Sequence, residues 1–419
     1  MSKPQTHRGG EDDGEREIKE VHRADCCIVG GGPAGALLAL LLARKGLHVT
    51  LLEAHEDFDR DFRGDTLHPS VLEIMEQLGL AADLLKIRHT KIRTATFVLG
   101  GETVTVADFG RLKTRFPYIA MLPQVDFLNF IVAEAKRHPT FQLLMGARVE
   151  ELIEEEGEVR GVRFREGAEW HEVRALLTIG ADGRGSRVRH LCGAEPVKTS
   201  LPVDVLWFRL PREAGDPEGA LGRFGNGHAV VMLDRLDEWQ VGYVIFKGGY
   251  GQLRAAGVEA LRRSLAEIVP EFAGRVGHLT DWKQVSFLSI ESSRVERWHR
   301  PGLLLIGDAA HVMSPVGGVG INYAIQDAVV AANLLTKPLL AGCVSEAELA
   351  RVQQERELPT RLIQAVQAFV QRRIIAAALN PRAQFRLPFI IRLLLRLPFI
   401  RNIPTRIIAF GFRRVTLKT

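Results

Sequence analysis

Ala24-Asp25-Cys26-Cys27-Ile28-Val29-Gly30-Gly31-Gly32-Pro33-Ala34-Gly35 is the stretch that decides the fold. Its first half is an apolar run of strand length, and its second half is a glycine turn. A Leu/Ala-rich stretch over 36–45 follows, with Gly46 placed to end a helix. Then comes His48-Val49-Thr50-Leu51-Leu52-Glu53, a second apolar run. Strand, glycine turn, helix and strand open a parallel unit, so the fold class is α/β with a Rossmann-like domain. Gly30 permits the tight turn, Gly32 lets the backbone approach a pyrophosphate, and Gly35 allows close packing of helix on sheet. The helix start offers N–H groups and the positive end of its dipole to an anion. Gly30, Gly32, Pro33, Ala34 and Gly35 are therefore candidate cofactor residues. Glu53, 18 residues beyond Gly35, ends the second strand where a carboxylate can accept from an adenosine ribose. By itself this motif leaves NAD, NADP and FAD open, with the acid at Glu53 arguing against a 2′-phosphate.

The chain has 419 residues, enough for two or three domains. Its hydrophobic and charged fractions, 46% and 25%, are those of an ordinary globular protein with a sizeable core. The net charge of +5 conceals an asymmetry: no Asp or Glu follows Glu357, whereas twelve Arg or Lys do, leaving a tail of +12 on a body of −7. The basic character thus concerns the C-terminus alone. The four cysteines, Cys26, Cys27, Cys192 and Cys343, form no C-x-x-C pair, which points to reduced thiols in a cytoplasmic protein. Residues 1–23 are charged, lack an apolar signal core, and are expected to form a disordered leader.

Further along, helices are expected over 69–85 and 125–136, strands around the Glu156-Gly157 turn, and a buried strand over 176–181 leading to Gly180-Ala181-Asp182-Gly183. Strand patterns at 203–210, 222–224, 228–233 and 239–246 then predict an antiparallel meander inserted into the first domain. A helix over 258–268 precedes another buried strand over 302–306. That strand leads into Gly307-Asp308-Ala309-Ala310-His311, and soon after Pro315-Val316-Gly317-Gly318-Val319-Gly320-Ile321-Asn322. A carboxylate at such a strand end is placed to accept from a polyol. Glycines 317, 318 and 320 would let backbone N–H groups approach the polar edge of a flavin, and a helix starting near Ile321 would aim its dipole at the negative charge of the reduced ring. No His, Cys or carboxylate group has metal-site spacing. Ser186 and Ser314 sit in no nucleophile elbow.

Together the three motifs resemble the flavin-dependent aromatic hydroxylases, the single-component class A flavoprotein monooxygenases of the para-hydroxybenzoate hydroxylase type, over roughly 24–335. The resemblance implies that the first motif binds the ADP half of FAD. It links Asp182-Gly183 to both FAD and the nicotinamide donor, and sets Gly307-Asp308 at the ribityl chain. Pro315, Gly317, Gly320 and Asn322 would lie beside the isoalloxazine, and Gly318 and Ile321 join them as candidate cofactor residues from the loop and helix start. Arg63 matches an arginine that approaches the pyrophosphate, and Gln124 a glutamine on the flavin side. The implied domains are three FAD-binding parts over 24–95, 96–200 and 289–340, an antiparallel substrate sheet over 201–288, and a helical basic–apolar region over 341–419. The implied reaction uses NADH or NADPH, bound FAD and O2 to hydroxylate an electron-rich, aromatic or lipophilic ring through a flavin C4a-hydroperoxide. Rival readings are a reductase of the geranylgeranyl reductase type and a non-catalytic flavoprotein.

The substrate side carries less signal. No phenol-activating tyrosines match, and Tyr243 reads as a core residue of a strand. His68 and His311 read as packing residues beside the cofactor loops. The tail holds a near-repeat, Arg386-Leu387-Pro388-Phe389-Ile390 and Arg396-Leu397-Pro398-Phe399-Ile400. It is read either as an interfacial segment meeting anionic lipid at a membrane's inner face or as a cover over the FAD domain. Its apolar content and lack of a recognised module argue against nucleic acid.

Overall fold

The computed structural model describes residues 17–59, 65–99, 101–199, 201–225, 227–380 and 402–418. One layer is an eight-stranded sheet. Its parallel centre runs, in space, Leu303–Leu305, Glu169–Gly180, Ile18–Val29, Val49–Leu52 and Phe141–Leu144. The register brings their carboxyl ends level: Val29 pairs with both Gly180 and Leu52, and Gly180 with Leu305. A hairpin of Arg148–Glu155 and Glu158–Glu166 lies antiparallel against Glu169–Gly180, turning through positive φ at Glu156 and Gly157.

Both faces of this sheet are covered, which is why adjacent Cys26 and Cys27 point opposite ways yet are both fully buried. Helix Pro33–Ala43 is buried from Ala34 to Ala43 and packs on helices Gly320–Leu340 and Gln124–Ala135. Its leucines contribute about 1.5–3 kcal/mol each by leaving water. The first strand begins earlier than the expected boundary at 24: from Ile18 it pairs with the strand that starts at Glu169. Those residues are mostly exposed, so ladder bonds and not a core order them, and side-chain pattern gave no warning.

The second layer is a seven-stranded sheet in the order Ser286–Leu288, Val203–Pro211, Glu238–Phe246, His228–Arg235, Ala220–Gly225, Thr94–Leu99, Glu102–Asp108. All its pairings are antiparallel except that of Thr94–Leu99 with Ala220–Gly225. Residues 94–108 thus join the second sheet, although the expected FAD-binding parts over 24–95 and 96–200 included all of them. Which sheet a strand enters depends on partners over a hundred residues away. One face of this sheet carries helix Val258–Ile268, whose Leu261 and Leu265 pack with Leu206 and Val241. Tyr243 belongs to this core, with its hydroxyl 2.9 Å from Ser264 Oγ. The other face looks toward the first layer.

Helix Glu346–Phe369 starts in a capping box: Ser345 Oγ accepts from the Glu348 N–H, and the Glu348 carboxylate accepts from the Ser345 N–H. It continues through a π-helical turn, Val370–Ile375. Helix Asn402–Phe410 wedges between the layers. The Asp108 N–H donates to Thr405 Oγ1, Ile408 O lies 2.7 Å from His68 Nδ1, and Gln326 Nε2 donates to Phe410 O. The described part of the C-terminal region is therefore a cover on the body; the near-repeat lies outside the described residues. No helix among the described residues is long and apolar enough to cross a membrane.

Candidate cofactor and substrate site

The strand order places all three motifs on one edge. Adjacent strands are ~4.8 Å apart, so the turns after Leu305, Gly180, Val29 and Leu52 are immediate neighbours. Backbone bonds stitch them: Ile306 N–H to Gly180 O, Ala181 N–H to Val29 O, and Gly30 N–H to Leu52 O. Gly30 has φ +103°, and a Cβ there would sit 2.5 Å from Ala181 O. At Gly35 a Cβ would meet Gly30 O at 2.0 Å. Gly32 differs. Its backbone is extended, and a Cβ would meet nothing within 4 Å. It stands at the start of helix Pro33–Ala43, which no side chain caps among the described residues. Open space before an uncapped helix N-terminus fits a phosphate-bearing group.

Glu53 is 8% exposed; its Oε2 accepts from Gly31 N–H at 3.0 Å, and its Oε1 accepts from His55 N–H at 3.1 Å. The same Oε1 lies 2.7 Å from His55 Nδ1, so a sugar hydroxyl would share a carboxylate that already has partners. Asp182 is used by its own turn: Ser186 Oγ donates to Oδ1 and Val188 N–H to Oδ2. Burial pushes its carboxyl above the usual carboxylate range, against the pull of those bonds. Gly183, at φ +83°, has open space where a Cβ would lie, with nothing within 4 Å of it.

Asp308 is part-exposed, its Oδ2 3.5 Å from Arg184 Nε. Arg189 donates to Asp308 O, Ala309 O and Arg184 O, and so staples the second motif to the third. Neither arginine was singled out from the sequence; the basic run following Asp182-Gly183 was the available signal. Beneath Gly307 lies a buried polar trio. Asp327 Oδ2 accepts from Gly307 N–H and lies 2.6 Å from His311 Nε2, while Oδ1 accepts from Arg356 Nε at 2.7 Å. Burial opposes charge on Asp327, but His311 and Arg356 hold its carboxyl below the ordinary value. His311 is therefore a structural partner of Asp327.

The loop after Ser314 is held from three sides. Asn322 accepts from His68 N–H and donates to Gly318 O, which also accepts from Thr66 Oγ1. Gly317 and Gly318 have φ +81° and +63°. From helix Glu346–Phe369, Gln364 Nε2 donates to Ser293 O and Val312 O, and Gln367 Nε2 to Ser314 O and Val316 O. Pro315, Gly320 and Ile321 remain partly exposed along this loop. Gln124 begins helix Gln124–Ala135 and donates its N–H to Asp65 Oδ1; Asp65 in turn pairs with Arg235 of the second sheet at 2.9 Å. Arg63 lies outside the described residues. The sequence reading missed Gln364 and Gln367, since a polar stripe on a helix does not reveal what it faces.

Above the loop, Val316 packs into a cluster with Leu99, Val203, Phe224 and Ile375, on the inner face of the second sheet. A separate cleft of about 370 Å³ opens at that sheet's rim between Val98, Arg223, His228 and Glu267; it contains no glycine-motif residue.

A parallel sheet with glycine turns on adjacent strand ends, roofed by an antiparallel sheet, is the architecture of a dinucleotide-binding flavoprotein. The profile of the FAD binding domain family matches residues 23–366, and the chain belongs to that family. It is 35% identical to the 6-methylpretetramide 4-monooxygenase of Streptomyces rimosus, over 94% of both chains. It is 26% identical to the pentachlorophenol 4-monooxygenase of Sphingobium chlorophenolicum, over 72% of this chain and 56% of that protein. In fold it is similar to P. aeruginosa PqsL solved with 2-aminobenzoylacetate: TM-score 0.75 and 22% identity, covering 86% of this chain and 98% of that one. The chain is an FAD-dependent monooxygenase, with NADH or NADPH as electron donor and a small molecule as substrate.

Proposed function

We propose that this monooxygenase hydroxylates a fused-ring aromatic phenol, of the size and kind of 6-methylpretetramide, held between the 315–320 loop and the inner face of the seven-stranded sheet. The observation that carries the reading is the apolar cluster of Leu99, Val203, Phe224 and Ile375 on that sheet's inner face, against which Val316 of the loop packs. Fused rings are favoured over single ones by end-to-end likeness to a relative named for a tetracyclic substrate, against partial coverage of the chlorophenol enzyme. Bound FAD supplies the redox chemistry, passing electrons from the nicotinamide to O2 and one oxygen atom to the ring.

The chain's own residues supply binding, orientation and dryness. Gly32 and the start of helix Pro33–Ala43 receive the pyrophosphate, Glu53 the adenosine ribose and Asp308 the ribityl hydroxyls. Gly183 gives the backbone of the second motif room to approach. Gly317, Gly318 and Gly320, with the N-terminus of helix Gly320–Leu340, direct N–H groups and dipole toward the ring's polar edge. Asn322 and Gln367 hold that loop in place, and Gln124 lies on the same side. The apolar cluster excludes water. This reading requires no membrane contact.

The test is oxidation of NADH and NADPH by the purified flavoprotein, followed with O2 uptake and product mass. The expected outcome is stimulation by 6-methylpretetramide with gain of one oxygen atom. Stimulation by para-nitrophenol or pentachlorophenol alone would overturn the fused-ring assignment.

A further inference from the structure

Helix Glu346–Phe369 sends a row of glutamines toward the loop described above. Gln364 reaches Ser293 O and Val312 O; Gln367, within the next turn, reaches Ser314 O and Val316 O. Each step along the helix moves one step along the loop. Gln371 is the next in the row, spaced i, i+3, i+7 from Gln364 on one face. It is 0% exposed, yet neither its Nε2 nor its Oε1 has a hydrogen-bond partner. Among the described residues it is the only buried side-chain amide with both atoms unpaired.

Val370, Ile374 and Ile375, on the same turn, pack with Val316 and the sheet face formed by Leu99, Val203 and Phe224. The turn is π-helical, a wide form that is rare and recurs at functional sites. A buried amide with nothing to bond costs about 1–3 kcal/mol per unmet group. A leucine or methionine would fill the place without that cost, so the amide has a use outside the empty fold.

We infer that the Gln371 amide recognises the substrate, giving an N–H to and taking an O–H from a phenol or enol oxygen of the fused-ring compound. This rests on the proposed substrate chamber and deepens it: the loop positions the ring edge, and Gln371 sets its orientation through one polar handle. A phenol that both donates and accepts matches an amide that does both. The deoxygenated ring leaves the amide unpaired and is discriminated against.

The experiment compares the holoenzyme with its Gln371→Met and Gln371→Glu variants, using 1-naphthol and naphthalene as probes. Dissociation constants are read from perturbation of the flavin absorbance, and melting temperatures and FAD content are read in parallel. The native enzyme is expected to bind 1-naphthol about tenfold more tightly than naphthalene. In Gln371→Met the preference falls to about twofold or less, with FAD content kept and the melting temperature equal or higher. Gln371→Glu, which keeps an acceptor and loses the N–H donors, falls between. Unchanged preference in Gln371→Met, or a melting temperature several degrees lower, overturns this assignment while leaving the fused-ring reading intact. Binding of neither probe by the native enzyme overturns both.

Discussion

Replacing Gly32 by alanine separates the needs of the fold from those of a bound dinucleotide. At Gly32 the backbone is one that alanine adopts freely, with φ −68° and ψ −178°, and the added methyl meets nothing within 4 Å. The protein without cofactor should therefore tolerate Gly32→Ala. Removing a glycine from the unfolded chain should raise stability by about 0.4–1 kcal/mol. The same methyl occupies the space before an uncapped helix start, where the pyrophosphate is proposed to lie. Losing one charge-assisted bond from backbone N–H to phosphate costs about 1.5–3 kcal/mol, or about 10- to 150-fold in affinity. FAD titration of the apoprotein by flavin fluorescence measures the second effect, and calorimetry of the same apoprotein the first. Gly35→Ala is the control, since its methyl would lie 2.0 Å from Gly30 O and should abolish folding of this edge. Native FAD affinity in a well-folded Gly32→Ala protein would refute the reasoning.

Gln367→Leu strips the donor from two carbonyls of the loop, Ser314 O and Val316 O. It should cost about 1–3 kcal/mol and raise the fraction of NAD(P)H oxidation that ends in hydrogen peroxide, which a peroxide assay detects. Asp327→Asn strands the fully buried Arg356 and should destabilise by about 3–5 kcal/mol in denaturant unfolding; adding Arg356→Met should recover part of the loss. Burial lowers the pKa of His68 to about 4, against the raising effect of its bond to Ile408 O. The unfolded chain binds this proton near pH 6.5 and the folded chain only near 4. His68 thus leaves stability unchanged above pH 6.5 and withdraws up to about 3 kcal/mol as pH falls from 6.5 to 4. A His68→Gln protein should show a correspondingly shallower loss over that window in pH-dependent melting; parallel curves would count against a neutral, buried His68.

Sequence alone was enough for whatever the backbone demands locally. The tight turn at Gly30, the end of the first helix before Gly46, the strands of the Val203–Phe246 meander and the length of helix Val258–Ile268 follow from neighbours a few residues away. The three glycine motifs and the order strand, turn, helix, strand were legible for the same reason. What only the folded molecule decided is adjacency. Nothing local says that the strands ending at Leu305, Gly180, Val29 and Leu52 stand side by side, nor that Thr94–Asp108 belongs to the second sheet. The same holds for buried polar groups: Arg356 meets Asp327 across 29 positions, Gln367 meets Val316 across 51, and His68 meets Ile408 across 340. Such pairs form because a polar atom taken out of water must find whatever partner packing brings near it. Packing is a property of the whole chain, so the residues that hold the loop in place, and the unpaired Gln371 beside them, came into view only in three dimensions.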